Sequence, residues 1–292
     1  MKSTVAALTA VALALSACAA NTPPADPLPT TAPPTAPTPD EPVTCPDPAS
    51  IGSTLGVTEL PADPAGVLLC DLDGTTHAPE QELTTEPERL VTQFNRAEPF
   101  SAETTLCTAD AGPAYAMVFR YPDRDSIVVT SMMGGCRQVG GRHGGEELLG
   151  TFVELMNAQR TAAPPGAAVA ARACEGPTAS WIPVELADLT TLSRCERQPD
   201  GALVTRGTAS AEQWATLRED LVTNTTAVDA PPAIGGDEQI LIAVDRFGQP
   251  LTLRWSGDVA TFWDAEPGLR SGRDQVRRLS PQSQRILEEL AS

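Results

Sequence analysis

The sequence is short of several things, and each shortage removes a class of function. Lys2 is the only lysine, His77 and His143 are the only histidines, and aromatic residues make up 4% of the 292 positions. Acidic side chains outnumber basic ones 38 to 20, a net charge of −18, so a polyanion is repelled and no nucleic-acid partner is expected. Two histidines leave little room for a Ser-His-Asp set, and the chain contains no nucleophile elbow, HExxH or Walker A pattern. Without a CxxC pair no zinc site is expected, and no other metal or cofactor. Long apolar runs are missing too. The stretch from Val5 to Ala17 falls short of the roughly 20 residues that a spanning helix needs.

That short stretch follows the charge at Lys2 and ends in Leu15-Ser16-Ala17-Cys18. A charged start, a short apolar core and small residues before a cut describe a secretory signal. With cysteine just after the cut, the segment resembles a bacterial lipobox, which implies that residues 1–17 are removed and Cys18 is lipidated. The expected location is the extracytoplasmic face of the cell membrane, with the membrane as partner through the lipid at Cys18. Residues 18–44 are rich in Pro, Thr and Ala, lack apolar periodicity and read as a tether. In extended polyproline form, at about 3.1 Å per residue, the tether reaches roughly 80 Å.

Beyond Cys18 there are six cysteines: Cys45, Cys70, Cys107, Cys136, Cys174 and Cys195. An even number in an exported chain reads as disulfides, whose pairing spacing alone leaves open. Pairing of neighbours is the expectation, Cys45 with Cys70, Cys107 with Cys136 and Cys174 with Cys195, each worth roughly 3 to 4 kcal/mol in the chain-entropy model.

The folded region reads as α+β, two tandem divergent repeats at residues 45–160 and 167–292, each a small, mostly antiparallel sheet packed with helices. Val57 to Gly74 and Val184 to Gly201 align: each holds a Val-Glu/Thr-Leu start, a cysteine and then an Asp-Gly turn, with another cysteine upstream. Downstream, Leu90, Val91, Phe94 and Ala97 are spaced as a helix with Thr85 as expected N-cap, and Ser210 with Gln213 forms a capping box before Trp214, Leu217 and Leu221. Hairpins follow, Tyr115–Tyr121 with Ile127–Thr130, and Ile240–Val244 with Leu251–Trp255. Closing helices carry Leu148 to Met156 and, after Ser280-Pro281, Ile286 to Leu290. Together with the lipobox and the near absence of lysine, this order resembles secreted actinobacterial lipoproteins of unknown function.

Three stretches have the look of chemistry. Val67 to Thr76 resembles the first motif of haloacid-dehalogenase-type phosphatases, which implies Asp71 as nucleophile and Asp73 as general acid/base. That chemistry requires Mg²⁺ held by a further acidic cluster on a large parallel sheet, and the alignment with Asp200-Gly201 favours a plain turn. The glycine-rich loop Gly134 to Gly145 gathers Arg137, Arg142 and His143 before a helix, and Arg270, Arg273, Arg277 and Arg278 stand in the matching region. Arg137, Arg142, His143, Arg270 and Arg273 are thus candidates for holding an anion. Trp255 and Trp263 offer a sugar-stacking pair, although a strand ending at Trp255 places it in the core. The expected function is a non-enzymatic module that binds an envelope ligand or protein.

Overall fold

The computed structural model describes residues 44–47, 49, 57–101, 103–110, 112–163, 174–176, 179–223, 225–227, 239–265 and 272–290, so Cys18, most of the tether and Arg270 lie outside the described residues. All of them belong to one unit, Ala36–Ser292.

Apolar alternation in the first half forms β1 (Gly66–Asp71), β3 (Ala114–Arg120) and β4 (Ile127–Met132), a three-stranded antiparallel sheet in the order β1-β3-β4. Helices α1 (Glu88–Arg96) and α2 (Gly145–Ala162) cover one face. Val67, Leu69, Tyr115, Met117 and Phe119 meet Leu90, Val91 and Phe94 from α1 and Leu148, Phe152 and Met156 from α2 in one core. The intervening residues Leu68, Cys70, Ala116 and Val118 form a separate cluster on the opposite face, as a two-residue period requires. Thr85 is not the α1 cap: Pro87 holds that position, and the Thr85 amide donates to Gln159 Oε1 of α2 at 2.9 Å. Proline is preset for a first turn and needs no donor there.

The second half opens with a single 3₁₀ turn, Leu186–Asp188, and β6 (Leu189–Arg197). It continues through β7 (Leu203–Thr208), α3 (Ala211–Thr223), β8 (Thr225–Ala227), β9 (Gln239–Asp245), β10 (Pro250–Ser256), β11 (Val259–Ala265), β12 (Gly272–Arg278) and α4 (Pro281–Glu289). Its sheet runs β7-β6-β9-β10-β11-β12-β8, antiparallel at every pairing. Seven strands correct the expected small sheet. The stretch that carries Arg273, Arg277 and Arg278 is strand β12, in which Arg277 is buried, lies over Phe262 at 4.8 Å and donates to the Leu221 carbonyl at 2.7 Å. A strand with so many arginines hides its period-2 signal, because long polar stems pack as apolar ones do.

The capping box is present: Gln213 N–H donates to Ser210 Oγ at 3.2 Å, and Ser210 N–H to Gln213 Oε1 at 2.9 Å. Ser280 likewise caps α4 by accepting from the Ser283 amide at 3.2 Å. Trp255 is 7% exposed, in the core with Leu217, Leu253 and Leu287; the side chain of Trp263 lies outside what is described. All three expected disulfides are formed, Cys45–Cys70, Cys107–Cys136 and Cys174–Cys195, with Cα atoms 5.6, 4.6 and 5.7 Å apart. Among the described residues no helix is long and apolar enough to cross a membrane.

The halves are joined by a short parallel pair, β2 (Thr76–His77) with β5 (Ala179–Ser180), and by Trp181 and Ile182, which belong to the first core although they follow the second half's first cysteine, Cys174.

Candidate functional site

Residues of α1, α2 and the glycine-rich loop line a cleft of about 770 Å³. Phe94, Ala97, Val139 and Leu148 line it with apolar surface, while Arg89, Arg96, Glu98, His143 and Glu147 add charge of both signs. Arg89 is occupied by Glu86 and Glu154, at 3.5 and 3.2 Å. The side chains of Arg96 and Glu98 are exposed and make no hydrogen bond or ion pair among the described residues. A cation and a carboxylate without partners among the described residues, side by side in one cleft, give a ligand of mixed charge an orientation.

The glycine-rich loop shapes one wall of this cleft. Val139 and Arg142 close a tight turn on each other. A Cβ at Gly140, whose φ is +55°, would stand 2.9 Å from the Val129 side chain, and one at Gly145 would stand 2.6 Å from the Arg137 carbonyl. These glycines let the chain approach its own core rather than an anion. Arg142 spends its guanidinium on the carbonyls of Ala97, at 2.5 Å, and Thr58, and lies over Phe94 at 5.2 Å. It thus satisfies orphan acceptors at the C-terminus of α1, where a cation also suits the dipole. Arg137 pairs with Glu146 in the first turn of α2. His143 meets Phe100 edge-on at 5.3 Å and lines the cleft. Arg273 stands opposite Asp264 in the β11–β12 register, in the second half's sheet and not in this loop.

Asp71 ends β1, and its carboxylate accepts from Trp181 Nε1 at 3.3 Å. Burial pushes the Asp71 carboxyl above the usual range, and neighbouring Asp73 adds to the rise. Burial acts to raise Asp73 as well, but donation from the Thr75 hydroxyl and amide and the Ala114 amide outweighs it and holds that carboxyl low. The distances are 2.5, 3.0 and 3.0 Å. Asp73 is therefore a turn former preceding Gly74 at φ +71°, as Asp200, which accepts from the Ala202 amide at 3.0 Å, is before Gly201. Among the described residues no three His, Cys, Asp or Glu side chains gather closely enough to hold a metal ion.

The junction between the halves is polar and buries Arg160, Asp245 and Gln249. Gln249, fully buried, accepts from Ser180 Oγ at 2.5 Å and sets its amide nitrogen 3.3 Å from His77 Nδ1. Arg160 and Arg246 both lie 4.6 Å from the Phe247 ring centre. Arg160 donates to Gln81 Oε1 at 3.0 Å and stands 3.9 Å from Asp245. Burial drives the Arg160 guanidinium down and the Asp245 carboxyl up, and their mutual attraction opposes both shifts. Removing one partner of so buried a pair strands the other charge, so this contact locks the halves together.

Compared with protein-family models, curated proteins and solved structures, the chain matches none. The cleft residues Arg96, Glu98 and Glu147 were not found by sequence reasoning. The available signal was the solvent side of α1, where Arg89, Thr92, Gln93 and Arg96 recur at helical spacing opposite Leu90, Val91 and Phe94.

Proposed function

We propose that this chain is a lipid-anchored, extracytoplasmic binding module without enzymatic activity, held to the membrane at Cys18, that takes a peptide-like ligand in the α1–α2 cleft. The observation that carries the reading is that Arg96 and Glu98, exposed and without side-chain partners among the described residues, line the same cleft. Charge of both signs complements a ligand that carries both signs, and a peptide segment does. The folded part is a diverged duplication. In its support, β1-α1-β3-β4-α2 and β6-α3-β9-β10-α4 run in one order with one strand arrangement, and Cys70 and Cys195 both face away from the helices.

The phosphatase reading has less behind it. Asp71 does stand at the C-terminal end of a strand, but of a three-stranded antiparallel sheet, and both Asp73 oxygens are taken by the turn. Two experiments divide the readings. Envelope-extract capture by the detergent-solubilised full chain is expected to yield a ligand that Thr92→Trp, which fills the cleft, no longer retains; equal retention defeats the cleft. Phosphate release from generic phosphomonoesters with Mg²⁺ is expected to be absent, and turnover lost in both Asp71→Asn and Asp73→Asn would instead establish the enzyme.

A further inference from the structure

The three disulfides are not equivalent toward solvent. Cys174 and Cys195 are 3 and 2% exposed, and Cys45, although itself exposed, is bonded to Cys70, which is 0% exposed on the sheet face that points away from the helices. Cys107 is exposed and Cys136 half-buried, in two surface loops. The loop carrying Cys107 also presents Leu106 entirely to water. Around the bond, exposed contacts join the two loops: Thr108 Oγ1 donates to the Gly135 carbonyl and the Gly135 amide to Asp110 Oδ1, both at 3.2 Å. Deeper contacts pin the bases of the same loops independently of the sulfurs. Met133 N–H donates to the Pro113 carbonyl at 2.9 Å, Phe100 N–H to Gly141 at 2.8 Å and His143 N–H to Glu98 at 2.9 Å. The second half holds its sheet and two helices with a single disulfide.

We infer that Cys107–Cys136 is a thiol–disulfide exchange site, opened by an external dithiol reductant while the other two bonds stay closed. A dithiol thiolate attacks the accessible Cys107 sulfur, the Cys107–Cys136 bond breaks, and Cys136 leaves as a thiolate that takes a proton. The second thiol then attacks the mixed disulfide, releasing Cys107 as a thiol. The dithiol is oxidised to its disulfide, and two electrons and two protons have passed to the cysteine pair. Exchange requires in-line access to one sulfur and a leaving thiolate that can be stabilised: Cys136 leaves half-exposed, whereas attack at the exposed Cys45 would expel Cys70 into an apolar cluster with Leu68, Ala116 and Val118, which disfavours its thiolate. Reduction frees the tip around Leu106 but leaves the sheet, both helices and the pinned loop bases in place. The site does not depend on the proposed ligand of the cleft.

The test is a titration of the full-length protein with dithiothreitol under native conditions, followed by alkylation and peptide mapping. Cys107 and Cys136 are expected to be labelled at least about ten-fold faster than Cys45, Cys70, Cys174 and Cys195. Hydrogen exchange on the reduced protein is expected to speed up across 103–110 and 134–137 while Gly66–Asp71 and α2 keep their protection. The double variant Cys107→Ser/Cys136→Ser is expected to reproduce that exchange pattern without reductant. Co-labelling of the four other cysteines, resistance of this bond until the chain unfolds, or loss of protection throughout the first half in either form overturns the inference.

Discussion

The two halves each pack an antiparallel sheet against two helices, and they do so differently. In the first, three strands suffice because α2 is 18 residues long and lays Leu148, Phe152 and Met156 along the sheet. In the second, α3 and α4 have 13 and 9 residues, and the sheet grows to seven strands to find enough partners for its apolar face. Connections differ correspondingly. The second sheet turns tightly at Asp245–Gly248 and at Gly257, whereas the first sends out residues 97–113 and 133–144, which carry the exposed disulfide and a wall of the cleft. Where a compact sheet and a long helix already close the core, loops are released from packing and become available for binding.

The sharpest way to break the comparison is at Trp181, which follows the second half's first cysteine yet fills the first core, 8% exposed and edge-on to Tyr115 at 5.6 Å. Trp181→Ala is expected to cost about 3–5 kcal/mol. Denaturant unfolding followed by fluorescence and far-UV circular dichroism should show one transition for the whole fold; a second half that melts by itself would separate the halves after all.

The next test asks whether Cys45–Cys70 and Cys174–Cys195 do the same work. With sequence separations of 25 and 21, they close loops of similar length. Replacing either pair by alanine is expected to cost about 3 kcal/mol. A loss confined to one pair would mean that the two straps are not counterparts.

Helix entry sharpens the contrast at a smaller scale. Ser210→Ala removes a working cap and is expected to cost about 1 kcal/mol. Thr85→Ala leaves in place the backbone donor that Gln159 uses and is expected to stay within about 0.5 kcal/mol. Chemical denaturation of both variants measures the pair, and a larger loss at Thr85 would restore it as a cap.

The smallest expected effects lie in the turn after β1, and they have opposite signs. The folded Asp71 carboxyl is raised, so its share of stability is complete below the ordinary carboxylate value and disappears as pH rises through the raised one. Asp73 is lowered, so its share is present above the ordinary value and disappears as pH falls through the depressed one. Melting temperatures across an acid-to-neutral series should therefore show Asp71→Asn gaining on the parent protein as pH rises, and Asp73→Asn falling behind it. The reverse order would contradict the assignment of Asp73 as the turn former.

Local signals, read from the sequence alone, determined the helices, both principal hairpins, the Ser210 and Ser280 caps, the Asp-Gly turns and the neighbour pairing of cysteines. Each depends on residues close together in the chain, where spacing and backbone preference act directly. Strand β12 escaped because its arginines mask alternation, and β7 because its residues are mostly exposed and carry no apolar rhythm. The candidate site was half visible: the glycine-rich loop was found, but its glycines serve close packing against Phe94 and Val129, and its Arg142 serves the end of α1. Only the tertiary structure decided that Trp181 crosses to the other core, that Arg160 is buried against Phe247, and that Arg96 and Glu98 share a cleft with His143. Those arrangements join residues far apart in sequence, and their energies come from burial and charge pairing, which no local pattern records.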